Sequence, residues 1–206
     1  MRHIVIVIFC SFLFSNQLFS NYKNAVCQSV YKDLVNAYGR AEKPPKLELT
    51  VKDNVSAMYY PGNNPKIVIS ERIYALCISL GPDSLNALAV LLGHELAHHY
   101  EKHAECSSFA KSIKSSSKED KLKYESEADY FGGFYGYVAG YNTYGITATI
   151  LDLVYKEFDI PDNLSGYPSK EERKKIAASR LKEVNSFKAV RSEERRVGKE
   201  CRSRWS

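Results

Sequence analysis

Residues 94–98 read His-Glu-Leu-Ala-His and lie within an apolar stretch that begins near Leu85. Residues four apart in an α-helix lie one turn above each other on the same face. His94 and His98 are therefore predicted to face one another and to hold one metal ion between them. Glu95 lies about 100° around the same helix, close enough to reach a water molecule on that metal. Two imidazoles and an adjacent carboxylate in this spacing are typical of zinc-assisted hydrolysis.

The surroundings of this pentapeptide distinguish a metal site from a charged surface helix. The neighbouring side chains are mostly apolar, which predicts a buried helix: Leu85, Leu88, Ala89, Leu91, Leu92, Leu96 and Ala97. A buried His or Glu needs a partner for its polar atoms. A metal ion satisfies His94, Glu95 and His98 together, and we therefore favour a zinc site.

A hydrolytic zinc site needs a third protein ligand and an open fourth position. The metzincin pattern requires Gly three residues and His six residues after the second His. Here Glu101 and Ala104 occupy those positions, so that pattern is absent. His99 and His103 lie off the required spacing, and we expect them to be surface groups or supports of the ligands.

A second predicted helix, Lys118–Tyr137, offers the missing ligand. Glu125 and Asp129 are four residues apart and hence on one face. Glu125 can bind zinc, and Asp129 can accept the free ring N–H of a ligand His. The alternative is a solvated charged face, but Ala128 and the pair Gly132-Gly133 favour close helix packing.

The segment Glu125-Ser126-Glu127-Ala128-Asp129 matches E-x-x-A-D, which follows H-E-x-x-H in one group of gluzincin metallopeptidases. Over about residues 45–185 the chain resembles this family, which includes the CAAX prenyl protease, the bacterial heat-shock membrane protease and periplasmic outer-membrane quality-control proteases. The resemblance implies an α+β zincin-like domain, with a small mixed sheet packed on a long active-site helix and further helices C-terminal to it. It also implies that Glu125 is the third ligand of one Zn²⁺ per chain.

One segment departs from the family pattern. The family commonly has a His-Pro pair followed by an Arg near the zinc, whereas this chain has Tyr167 before Pro168 and retains an arginine at Arg173. A Tyr hydroxyl can donate to an oxyanion but cannot carry the positive charge of a His. We therefore expect Arg173 or Tyr167 to stabilise transition-state charge. An ordinary surface cation is the alternative for Arg173, in its Glu/Lys-rich context.

The N-terminus has the pattern of a targeting signal. Arg2 precedes the apolar run Ile4–Phe14, and Ser20 ends a plausible cleavage site. We expect residues 1–20 to be a secretory signal peptide and the protein to be extracytoplasmic, periplasmic or secreted. The alternative is an uncleaved segment that associates with the membrane.

The C-terminus differs in character from the rest of the chain. Residues 191–206, RSEERRVGKECRSRWS, resemble the translation of a sequencing adapter, and we expect them not to be native. This leaves 21–190 as the metallopeptidase domain, truncated at its C-terminus. In the family a helical-repeat interaction region often follows, and we expect such a partner-binding region after Val190.

Most of the excess positive charge lies in these two ends. The whole chain has 29 basic and 24 acidic residues. One basic residue lies in 1–20, and six basic and three acidic residues lie in 191–206, so that 22 basic and 21 acidic residues remain. A nearly neutral domain gives no support to nucleic-acid binding. The domain has three cysteines, Cys27, Cys77 and Cys106, which allow at most one disulfide; buried thiols are the alternative.

The remaining pattern predicts the elements around the site. Strands are expected at Leu47–Val51, Val55–Tyr60 and Lys66–Ser70, and helices at Ala25–Tyr38, Glu71–Leu80, Thr143–Phe158 and from Ser169 to about Val184. Residues 106–117 are expected to form a loop. Either Val55–Tyr60 or Lys66–Ser70 could pair with an extended peptide at an exposed edge.

These observations together predict a zinc-dependent endopeptidase that acts on extracytoplasmic protein or peptide substrates. Glu95 would take a proton from the attacking water and pass it to the leaving amine. The alternative is a non-catalytic, zinc-bound chaperone or assembly factor for envelope proteins on the same fold.

Overall fold

The computed structural model of the protein describes residues 22–52, 56–103, 107–108 and 117–203. The predicted α+β architecture is confirmed: a small mixed sheet packs on a long helix, and further helices follow. In chain order the elements are α1 (residues 22–38), β1 (Lys46–Thr50), β2 (Ala57–Tyr60), β3 (Lys66–Ser70), α2 (Glu71–Ile78), a short 3-10 helix (Gly81–Asp83), α3 (Ser84–Tyr100), β4 (Ser107–Ser108), α4 (Lys118–Val138), α5 (Thr143–Glu157) and α6 (Lys170–Ser203).

The sheet has the strand order β1-β3-β2-β4. β1 runs parallel to β3, and β2 runs antiparallel to both β3 and β4. β3 is buried from Ile67 to Ser70, as expected for a central strand. The loop predicted at 106–117 is wrong at residues 107–108, because these form β4 opposite Met58 and Tyr59 of β2. Val55 and Cys106 lie outside the described residues.

Helix α3 forms the centre of the domain. Every residue from Ala87 to Tyr100 is buried, as expected for a helix that is apolar on all sides and covered on all sides. β2 and β3 contact it, and so do α2, α4 and α5. The prediction of burial is wrong only for Leu85, which is 43% exposed in the first turn of the helix.

Helices α3 and α4 cross at a pair of glycines. A Cβ on Gly93 would lie 2.7 Å from the Gly132 carbonyl oxygen, and a Cβ on Gly132 would lie 2.5 Å from the backbone nitrogen of His94. No side chain fits at either distance, so the absence of a Cβ on both residues permits this close approach. The sequence pattern at Gly132 predicted close packing; Gly93 was not singled out.

Serine caps fix where three of the helices begin. The hydroxyls of Ser70 and Ser117 accept backbone N–H bonds at the N-termini of α2 and α4. At α6, Ser169 and Glu172 form the predicted capping box: the Glu172 N–H donates to the Ser169 hydroxyl (3.2 Å), and the Ser169 N–H donates to the Glu172 carboxylate (2.8 Å).

Helix α6 continues past Val184, where the sequence predicted its end, to Ser203. Its backbone therefore shows no break after Val190. The expectation that residues 191–206 are not native stays a prediction.

Two of the three domain cysteines lie in the core as free thiols. Cys27 is 1% exposed and Cys77 is fully buried, and neither forms a disulfide. Burial raises the pKa of the Cys27 thiol to about 12, so both side chains behave as small apolar groups.

Among the described helices, none is both long enough and apolar enough to cross a bilayer. The predicted signal peptide, residues 1–20, lies outside the described residues.

We predict that Gly132→Ala destabilises the fold by about 3 kcal/mol or more, because the new methyl group would meet the backbone of α3. Gly133→Ala is the matched control: its Cβ would meet only the Tyr144 ring, at 3.0 Å, and alanine gains about 1 kcal/mol in helix propensity over glycine. Urea unfolding monitored by circular dichroism measures both. Equal stability of Gly132→Ala and the wild type would show that the crossing is looser than described.

Candidate metal centre

Three side chains from two helices meet beside the glycine crossing. His94 and His98 come from successive turns of α3, and Glu125 comes from α4; all three are at most 3% exposed. The structure brings together one donor atom from each, all within 4.8 Å of one another.

The distances between these donor atoms fit a zinc ion. His94 Nε2 lies 3.1 Å from His98 Nε2 and 3.3 Å from Glu125 Oε2, and His98 Nε2 lies 3.7 Å from Glu125 Oε1. Tetrahedral ligands with zinc bonds of about 2.0–2.1 Å are separated by about 3.3 Å. The cluster therefore fits a zinc site in chemistry and in spacing, with three protein ligands as in hydrolytic sites.

Glu95 adds a carboxylate with no hydrogen-bond partner beside this cluster. It is fully buried, and among the described residues neither of its carboxylate oxygens has a hydrogen-bond partner. Burial is the main cause that raises the pKa of Glu95 to about 8; the charge of His94 opposes this effect, and the Glu125 carboxylate adds to it. A buried carboxylate without a partner is costly, and one whose pKa is close to neutral is suited to accept and return a proton.

Asp129 orients His94 from the side opposite the cluster. Its Oδ1 accepts a hydrogen bond from His94 Nδ1 at 2.9 Å, which leaves Nε2 of the ring directed at Glu125 and His98. An imidazole that donates from one nitrogen has its lone pair on the other. This contact is the one that the four-residue spacing of Glu125 and Asp129 predicted.

Arg173 from α6 binds Asp129 through two hydrogen bonds. Its Nε donates to Oδ2 and its Nη2 to Oδ1, both at 2.7 Å. Although burial acts in the opposite direction, the Arg173 guanidinium and His94 hold the pKa of Asp129 well below its usual range. Arg173 is 2% exposed, so the alternative of a surface cation is wrong. Its neighbours on the exposed faces of α6 are Glu and Lys, which made it look solvated in the sequence.

The two histidine ligands have different electrostatic surroundings. Against the effect of burial, hydrogen bonds to Asp129 and Glu125 raise the pKa of His94 to about 9. Burial and the charge of His94 lower the pKa of His98 well below its ordinary value. Burial acts on both rings, and they differ because His94 has hydrogen bonds to the carboxylates of Asp129 and Glu125, whereas His98 Nδ1 faces the imidazole of His103 at 2.9 Å.

His103 and His99 lie inside the protein rather than on its surface. His103 is 3% exposed and His99 is 6% exposed. His99 Nε2 donates to the Lys43 carbonyl at 3.1 Å, and its Nδ1 accepts from the Tyr59 hydroxyl at 3.2 Å. His99 thus connects α3 to β2, away from the ligands.

Glu127 is a residue that the sequence left without a role. Its Oε2 lies 3.0 Å from His103 Nε2. Glu127 lies two residues after Glu125 and therefore on a different face of α4. Its contact with His103 could not be predicted, because the position of His103 was not known from the sequence.

Tyr167 is buried in the connection between α5 and α6. It follows Gly166, whose φ of +86° favours glycine. Its predicted role at the oxyanion stays a prediction.

Comparison with known proteins gives one family match. The model described as peptidase family M48 matches residues 21–118. Over these residues the chain is similar to peptidase family M48, which supports a metallopeptidase of that family. Neither the curated proteins nor the solved structures gave a match.

The M48 match includes the two His ligands and Glu95 but ends at Lys118, the first residue of α4. The assignments of Glu125, Asp129 and Arg173 therefore rest on the geometry of the structure and on the E-x-x-A-D motif.

We predict that Arg173→Met weakens zinc binding by about tenfold to a hundredfold, because the support that orients His94 is lost. The change leaves Asp129 buried without its cation, and we expect a stability loss of about 3–5 kcal/mol. Competition with a chromophoric chelator measures the zinc affinity, and thermal unfolding measures the stability.

Arg180→Met is the control, because Arg180 lies on the same helix and pairs with an exposed Glu183. We expect its zinc affinity to match that of the wild type. Wild-type zinc affinity in folded Arg173→Met would show that the Asp129–Arg173 pair does not support the ligand.

Proposed function

We propose that the protein is a zinc-dependent endopeptidase that hydrolyses peptide bonds in extracytoplasmic proteins. The match of residues 21–118 to peptidase family M48 supports a metallopeptidase, and the cluster of His94, His98 and Glu125 supports a zinc cofactor. The observation that carries the proposal is the Glu95 carboxylate, which is buried beside the cluster and has no hydrogen-bond partner among the described residues. A purely structural zinc site has no need of such a group.

The residues of the chain divide the reaction between them. When bound, zinc would lower the pKa of a coordinated water and polarise the scissile carbonyl. His94, His98 and Glu125 would hold it. Glu95 accepts a proton from the attacking water at a carboxylate oxygen and delivers it to the leaving amine.

The structure changes our proposal for Arg173. Two short hydrogen bonds of Arg173 go to Asp129, so it keeps that carboxylate ionised and directed at His94. We propose this orienting role in place of direct contact with the oxyanion, for which Tyr167 stays the proposed donor.

Of the two strands predicted to bind an extended substrate, only β2 keeps positions unpaired on one side among the described residues. β3 pairs on both sides, with β1 and β2, so Lys66–Ser70 is excluded as the peptide-binding strand. On its other side β2 pairs only with the two residues of β4, within the part of the chain that the structure describes. We propose that substrate binds along β2, where main-chain hydrogen bonds require little sequence specificity.

A groove of about 970 Å³ begins at the C-terminal end of β2. Tyr59, His99 and His103 form one wall, and the turn between β2 and β3 forms another. The three ligands do not line the groove, which connects to the metal centre through the contact of His103 with His98.

The extracytoplasmic substrate and location rest on the pattern of residues 1–20. Neither the M48 match nor the structure bears on them. The alternative of a non-catalytic assembly factor gains no support from the site, because it gives no reason for Glu95 to be buried without a partner.

We predict that Glu95→Gln retains one zinc per chain but lowers the rate of casein cleavage by at least about a hundredfold, because glutamine cannot accept the proton from water. Zinc content by elemental analysis and cleavage of a fluorescent casein check the two parts.

Glu101→Gln is the matched control. It makes the same chemical change at the end of the same helix, where Glu101 pairs with Arg40, and we expect wild-type cleavage. Wild-type cleavage by zinc-loaded Glu95→Gln would refute the proposed role of Glu95. Absence of cleavage by the wild type itself would favour the assembly-factor alternative.

A further inference from the structure

The chain after α3 turns back so that His103 lies against His98. The His103 N–H donates to the His98 carbonyl at 2.9 Å, and the Lys102 N–H donates to the His99 carbonyl at 3.1 Å. These two bonds form a Schellman motif, with Lys102 in the left-handed position at φ +58°. A glycine is usual there, because a Cβ is strained in that conformation. The turn is therefore maintained despite a local cost.

Helix α4 holds the His103 ring on its other sides. Tyr124 stacks on the imidazole, with ring centroids 4.5 Å apart and planes inclined by 26°. Glu127 Oε2 lies 3.0 Å from His103 Nε2. The ring is 3% exposed, so backbone, stacking and hydrogen bonding together fix its orientation.

These contacts determine which nitrogen of each ring carries a proton. A carboxylate oxygen only accepts, so His103 Nε2 carries a proton and donates it to Glu127. His103 Nδ1 then has the lone pair and accepts from His98 Nδ1 at 2.9 Å. His98 is consequently protonated on Nδ1, and its Nε2 lone pair faces His94 Nε2 and Glu125.

We propose that His103 is a positioning residue for the metal: it holds His98 in the tautomer and ring orientation that direct Nε2 at the zinc, and Glu127 in turn holds His103. This inference rests on the proposed zinc-dependent function. It assigns the acids of the segment 125–129 three separate tasks: Glu125 binds zinc, Asp129 orients His94, and Glu127 orients His103.

Asp129, which orients His94, and His103, which orients His98, differ in charge. His94 is held by an ionised carboxylate, which makes an imidazole a stronger donor. His98 is held by a neutral imidazole, which orients the ring and adds no negative charge next to the zinc. With Glu125 as the one carboxylate ligand, a neutral support for His98 would leave more of the positive charge of a bound zinc to polarise a substrate carbonyl.

The test compares two buried histidines at the end of the same helix. His103→Leu removes the acceptor for His98 Nδ1, and we expect zinc affinity to fall by about tenfold to a hundredfold. His103→Asn places an amide oxygen near the former Nδ1 and is expected to recover most of that loss.

His99→Leu is the control, because its imidazole bonds Tyr59 and Lys43 and no zinc ligand. We expect its zinc affinity to stay within about threefold of the wild type. Equal losses in His103→Leu and His99→Leu, or an Asn variant as weak as the Leu variant, would overturn the proposal.

If His103→Leu does not fold, the tautomers of His98 and His103 in the wild type can be measured directly by NMR. In ¹⁵N-labelled, zinc-loaded wild type, long-range ¹H–¹⁵N correlation should show His98 protonated on Nδ1 and His103 protonated on Nε2. Protonation of His103 on Nδ1 would overturn the proposal.

Zinc affinity and ring tautomers are both measured without substrate. A protein that binds zinc as described but does not cleave casein would contradict the proposed function and leave the role of His103 supported.

Discussion

The backbone contact between Gly93 and Gly132 determines the geometry of the whole site. A Cβ on either residue would lie 2.5–2.7 Å from backbone atoms of the other helix, so the two helices approach more closely than side chains would permit. The next residue of α3 after Gly93 is His94, the first ligand. On α4, Asp129 and Glu125 lie about one and two turns before Gly132. The close approach therefore places a carboxylate ligand and a supporting carboxylate within hydrogen-bond distance of the same imidazole.

The crossing also explains why so many ionisable groups can be buried together. Asp129 is neutralised by Arg173, and the Ser169–Glu172 capping box fixes where α6, which carries Arg173, begins. Glu125 faces the two imidazoles of α3. Glu127 receives the ring N–H of His103. Each buried charge has a partner from another element except Glu95, and this exception among the described residues marks the group that is available for proton transfer.

Much of this could be read from the sequence, because helical spacing is a strong constraint. The i, i+4 pairs His94–His98 and Glu125–Asp129 each lie on one face of a helix, and the structure places them so. The capping box before α6 and the strand Lys66–Ser70 are also found where the pattern predicted them.

The features that the sequence did not reveal depend on tertiary contacts. A left-handed residue usually signals itself as glycine, but here Lys102 occupies that position, so the return of His103 towards His98 was not foreseen. Arg173 was expected to contact transition-state charge, with a surface cation as the alternative, and its pairing with Asp129 was not predicted. Gly93 lies between Leu92 and His94 in the sequence. Its importance depends on the close contact with Gly132 of α4, which the sequence alone does not show.

The central claim is that His94, His98 and Glu125 together hold one zinc ion and leave a position open to water. X-ray absorption at the zinc edge of the loaded protein tests it most directly. The account predicts a four-coordinate site with two imidazole nitrogens and two oxygens at about 2.0–2.1 Å, and no sulfur. A sulfur scatterer at about 2.3 Å, or the same spectrum from protein in which Glu125 is replaced by alanine, would contradict it.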